Sequence, residues 1–364
     1  ISLVGMLLDP RGAYRKLLHN KMLKRGALLI AMLFGMYAPN VNGAYAADKS
    51  GDVKARYLPQ ETAEQFGNLF ILYNNRICPM QTFAIDFTKK LYGADSYKGL
   101  TAEQVLTGWI FWGDDWMIEP MLKIKGGELK ETLQLPDYVS ANTFFNKDMG
   151  GYTIGPYVKE YYDGNHDKFN TQAIAIDDKI QLLVNLQRGV VLKIFPYTLQ
   201  GKTTWLAPTD EQPQTMSLQN KRFIKSVLAL LYSEAEAKNY KQMDEIVGKL
   251  LKYQASNAGT SLPTANQVAA ERTYNDIPFA NNLFMLCLTM GFVTFMYTVA
   301  RLCRKCRTGN SLDTHADIII VWLSRGIMLA AFLSLSYCEY LRWTISGTLP
   351  MANGYETMLF VTWI

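Results

Sequence analysis

The side chains in this sequence best suited to chemistry are its cysteines, histidines and paired acids, and their spacing decides how far that chemistry goes. Cys303-Arg-Lys-Cys306 has the two-residue gap of a redox or metal pair, with His315 nine residues further on. A zinc site needs four ligands, and no second Cys-x-x-Cys is present. The motif also lacks the following His that attaches a c-type haem, so the pair reads as filler in a basic segment and the chain is not itself a c-type cytochrome. Asp114-Asp115 and Asp177-Asp178 could divide acid and base roles, but neighbouring side chains on a helix diverge, and both pairs are expected in solvent. In "GWIFWGDDWMIEP", Trp109, Trp112 and Trp116 could offer a flat ligand an aromatic platform, yet their spacing also makes one apolar helix face, and packing is the expected use. His166, in "YYDGNHDKFN", reads as a surface-loop residue. There is no Gly-rich phosphate loop, no Ser-His-Asp signature and no zinc spacing, so no metal site is expected and motif chemistry identifies no enzyme.

Local patterns name the elements that must position these residues. Thr62-Ala-Glu-Gln65 and Thr101-Ala-Glu-Gln104 each set a hydroxyl three residues before a Gln, the pattern of a capping box opening a helix. Between them "LFILYNNRICPMQTF" predicts two strands joined at Asn74-Asn75, followed by a helix capped by Thr82 and closed by Gly93. Phe223, Ile224, Val227, Leu228 and Leu231 make one helical stripe. Tyr240, Met243, Ile246, Val247, Leu250 and Leu251 make another, so a helical hairpin should turn near Ala237 to Asn239. "VVLKIFPYT", after Gly189, predicts a strand. No internal repeat is visible.

Composition then separates this region from the rest. The chain has 364 residues, 49% hydrophobic and 19% charged, and those averages conceal strong segregation. Residues 47–278 mix polar and apolar types as a soluble domain does, whereas 279–300 and 316–341 reach the roughly 20 apolar residues that a helix needs to cross hydrocarbon. Residues 26–46 form a third apolar block, read as an uncleaved span or, given Ala44-Tyr45-Ala46, a signal-like segment. Positive charge orients these blocks. Arg11, Arg15, Lys16, Lys21, Lys24 and Arg25 lie in segment 1–25, and Arg301, Arg304, Lys305 and Arg307 lie in segment 301–315, so both are expected in the cytoplasm. Residues 47–278 and the connection 342–354 then fall outside, and 355–364 begins a further span. The net charge of +5 mostly reflects the inner clusters, so no nucleic-acid partner is expected. The chain starts without Met inside one apolar stretch and stops inside another, which reads as an internal piece of a longer protein. The expected class is mainly α: a multi-pass helical membrane protein with a large, mostly helical extracytoplasmic domain that contains a little β.

"CEYLRWTISGTLPMANGYETMLFVTW" resembles the cytochrome c assembly protein family, the haem-handling membrane subunit of the system II cytochrome c synthetase, in its fused form. In that family a span ends in Arg-Trp and is followed by a short outer loop with Pro, a small residue, Asn and then Tyr-Glu. The matching positions are Arg342, Trp343, Pro350, Ala352, Asn353, Tyr355 and Glu356. "YNNRICPMQTFAIDFTKKLYG" and "GLTAEQVLTGWIFW" are similar to the soluble region preceding the assembly spans in fused versions, and "LLDPRGAYRKLLHNK" would then follow the last span of an upstream partner module. The family's Trp-rich haem-presenting motif, with its flanking histidines, would lie beyond residue 364. His19 and His315 sit by cytoplasmic charge and His166 in the outer domain, so the resemblance implies that the axial ligands are outside this sequence.

What the resemblance implies is a bacterial cytoplasmic-membrane protein that exports haem and presents it for covalent attachment to apocytochrome c, with haem, apocytochrome, the upstream module and the lipid bilayer as partners. A haem carrier needs apolar walls and cations for two propionates, while the bond-forming atoms belong to haem and the apocytochrome. Arg325, well inside the second long apolar block, is a candidate propionate contact, because a guanidinium in hydrocarbon usually faces a protein interior or wet cavity. Two other classes fit the same layout: a membrane-anchored scaffold or receptor whose outer domain binds a partner protein, and a transporter permease.

Overall fold

The computed structural model describes residues 53–146, 151–277, 279–308, 315–348, 351 and 354–363. The expectations for the first apolar block, its basic flank, Ala44 to Ala46 and His19 lie outside the described residues. The chain divides into two units, one ending at Val268 and the other resuming at Ala269.

In the first unit the order is α1 (Gln60–Gly67), β1 (Phe70–Tyr73), β2 (Arg76–Pro79), α2 (Met80–Tyr92), α3 (Ala102–Phe111), α4 (Gly113–Trp116), β3 (Leu122–Lys123), α5 (Glu128–Thr132) and β4 (Tyr138–Val139). A 3-10 turn (Ala141–Phe144) leads into β5 (Phe145–Asn146), β6 (Gly151–Tyr152), α6 (Gly155–Tyr162), α7 (Lys168–Gln187), β7 (Phe195–Leu199), β8 (Lys202–Leu206), α8 (Leu218–Glu236) and α9 (Tyr240–Asn257). The strands pair only as antiparallel hairpins, β1-β2, β3-β4, β5-β6 and β7-β8. Helix α10 (Ala265–Asp276) carries the boundary, and the second unit continues with α11 (Phe279–Thr308), α12 (His315–Ser346) and α13 (Gly354–Trp363).

Several local signals act as expected. Thr101 forms a full capping box with Gln104, each side chain bonding the other residue's backbone N–H. Asn74 and Asn75 both take positive φ, 48° and 61°, the conformation that a two-residue hairpin loop demands. Gly93 closes α2 at φ 89°. The hairpin α8-α9 turns at Ala237 to Asn239, with Lys238 at φ 56°.

Others do not. Helices α1 and α2 start earlier than the Thr positions suggest, because Pro59 and Pro79, at ψ 147° and 145°, occupy the N-cap positions. Thr62 and Thr82 are therefore buried inside the first turns rather than at the N-cap positions. The strand expected at 190–198 begins only at Phe195, after turns at 188–191. The tryptophan stripe is broken too: α3 ends at Phe111, and Trp112 (φ −130°, ψ 46°) separates it from α4.

One continuous hydrophobic core holds the first unit together, with Trp109, Trp116, Tyr97, Phe66, Phe87 and Phe195 among its fully buried side chains. Each such aromatic removes about 150–250 Å² from water, roughly 4–6 kcal/mol as an upper bound.

Candidate functional site

The second unit carries the positions that the family resemblance singles out. Among the described residues, two helices are long and apolar enough to cross a membrane, with windows at Leu286–Cys303 in α11 and Val321–Ser346 in α12. Helix α11 continues to Thr308, so Arg301, Arg304, Lys305 and Arg307 ride on its last turns rather than in a loop. Helix α12 continues to Ser346, so Arg342 and Trp343, expected in the connection 342–354, belong to the helix. Helix α13 packs back on α12: the Trp363 indole donates to Ser336 Oγ at 2.8 Å and its ring stacks on Phe332.

Arg342 is held from behind. Its Nη1 donates to the Tyr274 hydroxyl, and its guanidinium lies 5.2 Å from the centre of the Tyr274 ring. The contact stands beside a small buried cluster of Ala270, Cys338 and Leu341. Trp343, one residue on, is 53% exposed. Tyr355 and Glu356 fall in the first turn of α13, the end of a helix that favours an acid. Pro350, Ala352 and Asn353 lie outside the described residues.

Arg325 stands apart from this group. It is exposed on α12 with its guanidinium 5.6 Å from the Trp322 ring centre, one turn earlier. Seventeen residues of α12 separate it from Arg342, about 25 Å of helix. The structure therefore brings Arg342, Trp343 and the start of α13 near one end of α12 and leaves Arg325 toward the other.

In the first unit the other candidates resolve into structural roles. The indole N–H of Trp109 reaches Met121 Sδ, that of Trp116 donates to the Arg56 carbonyl at 2.9 Å, and that of Trp112 donates to Glu236. All three rings are buried and internally partnered, so they are core rather than a ligand platform. Asp115 forms an ion pair with Arg56 at 2.6 Å, and Arg56 also reaches Glu236 at 2.7 Å. Asp177 departs from the solvent expectation: it is buried and accepts from the Tyr152 hydroxyl at 2.5 Å, because the adjacent α6 and β6 cover that face of α7. Burial and this carboxylate together push the Tyr152 phenol well above its usual range. Asp178 and His166 are exposed, the latter edge-on to Tyr161. Among the described residues no group of His, Cys, Asp and Glu could hold a metal ion.

Sequence reasoning passed over three polar residues that the structure makes central. Glu119, inside the tryptophan stretch, is buried and accepts at Oε1 from the backbone N–H of Lys54 (2.7 Å) and Ala55 (3.3 Å). Its Oε2 accepts from the Tyr97 hydroxyl (2.8 Å) and Lys98 Nζ (3.2 Å). Burial raises this carboxyl, but the Tyr97, Lys54 and Lys98 donors outweigh it and hold the group below the usual range. Gln254 spends its amide on the backbone of Phe70 and Ile194. Glu339, only 6% exposed in α12, is an acid within a candidate span, and its position three residues before Arg342 was the available signal.

No protein-family profile matches this chain. Over its full length it is similar to Protein NrfI of Wolinella succinogenes, at 22% identity across 379 residues, and it spans 40% of the length of that protein.

Proposed function

We propose that this chain is part of a cytochrome c biogenesis membrane protein that exports haem and presents it for covalent attachment to apocytochrome c. The observation that carries this reading is the 22% likeness of the whole chain to part of Protein NrfI, which supports a role in cytochrome c biogenesis. The Arg342-Trp343 pair at the end of α12, followed by Tyr355-Glu356 at the start of α13, agrees with the family's arrangement. In this reading α11 and α12 cross the bacterial cytoplasmic membrane, with residues 47–278 on the periplasmic side. Their apolar faces suit a large flat ligand, with Arg325 as the candidate propionate contact. In this reading the bond-forming atoms belong to haem and the apocytochrome, and the residues described here bind, orient and shield the haem.

The test is direct. The full-length protein should purify with a Soret band, and its deletion should abolish covalent haem attachment to c-type cytochromes. A haem-free protein whose deletion leaves those cytochromes intact would overturn the proposal and favour a scaffold.

A further inference from the structure

Helix α12 runs from His315 to Ser346, about 48 Å, of which a hydrocarbon crossing uses about 30 Å. Apolar composition alone carries the candidate span out to Ser346. The packing of α10 argues for a lower limit. Ala270, Tyr274 and Ile277 cluster with Cys338, Leu341 and Ile345, so α10 lies beside α12 from Cys338 to near its end. Helix α10 is polar, with the sequence ANQVAAERTYND. Glu271 is buried there, but Arg272 and Asp276, one turn apart, are exposed. Lipid tails offer such charges no partner, so that face of α10 needs water or headgroups. Because α10 is packed on α12, the stretch of α12 beside it leaves the hydrocarbon too.

The surface of α12 changes at the same height. Leu329 and Leu333 are exposed and wholly apolar, whereas the next large exposed side chains are Tyr337, Tyr340 and Trp343. The rings of Tyr337 and Tyr340 stack, with centres 6.4 Å apart and planes 21° from parallel. Aromatics with a polar tip settle at the level of the headgroups. Charge agrees as well. The window Val321–Ser346 holds Arg325, Glu339 and Arg342, but a crossing that ends at Tyr337 holds Arg325 alone. About 20 residues then bring its inner edge to Ile318, and Asp317 falls just outside.

We propose that the outer edge of the hydrocarbon meets α12 at Tyr337, and that residues 338–346 together with α10 form a helical collar in the lipid headgroup layer, which Tyr337 and Tyr340 contact. Arg342, with Tyr274 behind it, stands in that layer and not in hydrocarbon. The inference rests on α11 and α12 being membrane spans, as proposed above.

The experiment introduces Tyr340→Cys and Leu333→Cys separately into the full chain. Both positions are exposed, and they lie seven residues, about 10 Å, apart along α12. A water-soluble maleimide is applied to sheared membranes, where it reaches both faces, and peptide mass analysis separates the new cysteine from the native ones. The reagent attacks a thiolate, which forms in water and not among lipid tails. Tyr340→Cys should label in the membrane, and Leu333→Cys only after denaturation. Should Leu333→Cys fail to accumulate, Leu329→Cys, one turn deeper, takes its place. Protection of both positions would put the hydrocarbon edge beyond Tyr340 and overturn the proposal while leaving the membrane reading intact. Labelling of both in the membrane would remove α12 from hydrocarbon and overturn the membrane reading with it.

Discussion

Replacing Gln254 with Leu tests how the first unit is fastened. The side chain is fully buried, and its Oε1 accepts from the Phe70 N–H at 3.0 Å. Its Nε2 donates to the carbonyls of Phe70 at 2.7 Å and Ile194 at 2.8 Å. One amide thus joins α9 to β1 and to the turn before β7. Leucine keeps the volume but leaves three backbone groups without these bonds. At about 1.5 kcal/mol for each orphaned group, the loss is about 4–5 kcal/mol. Leucine's greater apolar surface returns about 1–2 kcal/mol, for a net cost of about 3 kcal/mol. In a unit of this size that corresponds to a Tm lower by about 6–12 °C. Thermal unfolding followed by near-UV circular dichroism measures the shift, and hydrogen exchange at the Phe70 amide localises it. A cost under about 1 kcal/mol with unchanged exchange at Phe70 would refute the reasoning.

The membrane reading predicts that a reporter active only outside the cytoplasm works when fused near residue 160 and fails near residue 310; the opposite pattern overturns the topology. Trp343→Ala and Glu356→Gln should each lower holocytochrome yield more than they lower protein level, and equal losses would assign both residues to folding alone. Loss of a hydrogen bond to a charged group costs about 1.5–3 kcal/mol, so Arg325→Gln should reduce co-purified haem by roughly tenfold or more while the protein still inserts. Arg325→Lys should restore part of it, and unchanged haem in a well-expressed Arg325→Gln variant rules the contact out.

The tetrapeptide Thr-Ala-Glu-Gln shows where the sequence could be read and where it could not. It occurs at 62–65 and again at 101–104, yet only the second copy caps a helix. The flanks decide: before Thr101 the chain is bent by the Tyr97-Leu100 bridge and cannot be helical, while before Thr62 Pro59 already sets the entry geometry and the helix starts first. Hairpin turns and helix stripes were legible because Asn74-Asn75, Gly93 and the α8-α9 periodicities act over a few residues. Glu119 and Gln254 were not, because each draws its role from partners more than 20 residues away. At the candidate site, Arg342 and Trp343 were visible through resemblance. Tyr274, which braces Arg342 from 68 residues away, had no local pattern to announce it.

The two candidate spans differ in length, and that difference has a mechanical consequence. The apolar block 279–300 of α11 covers 22 residues, about 33 Å of helix, whereas 316–341 of α12 covers 26 residues, about 39 Å. Hydrocarbon is about 30 Å thick, so an upright α11 matches it and α12 overshoots. If both helices cross a bilayer as proposed, α12 must tilt or push its ends into the headgroups, and its packing against α11 and α13 limits the tilt available. The Arg342 end of α12 then rides at a height set by membrane thickness. A thinner bilayer drives it further out, making lipid chain length a control on how far that end stands above the hydrocarbon.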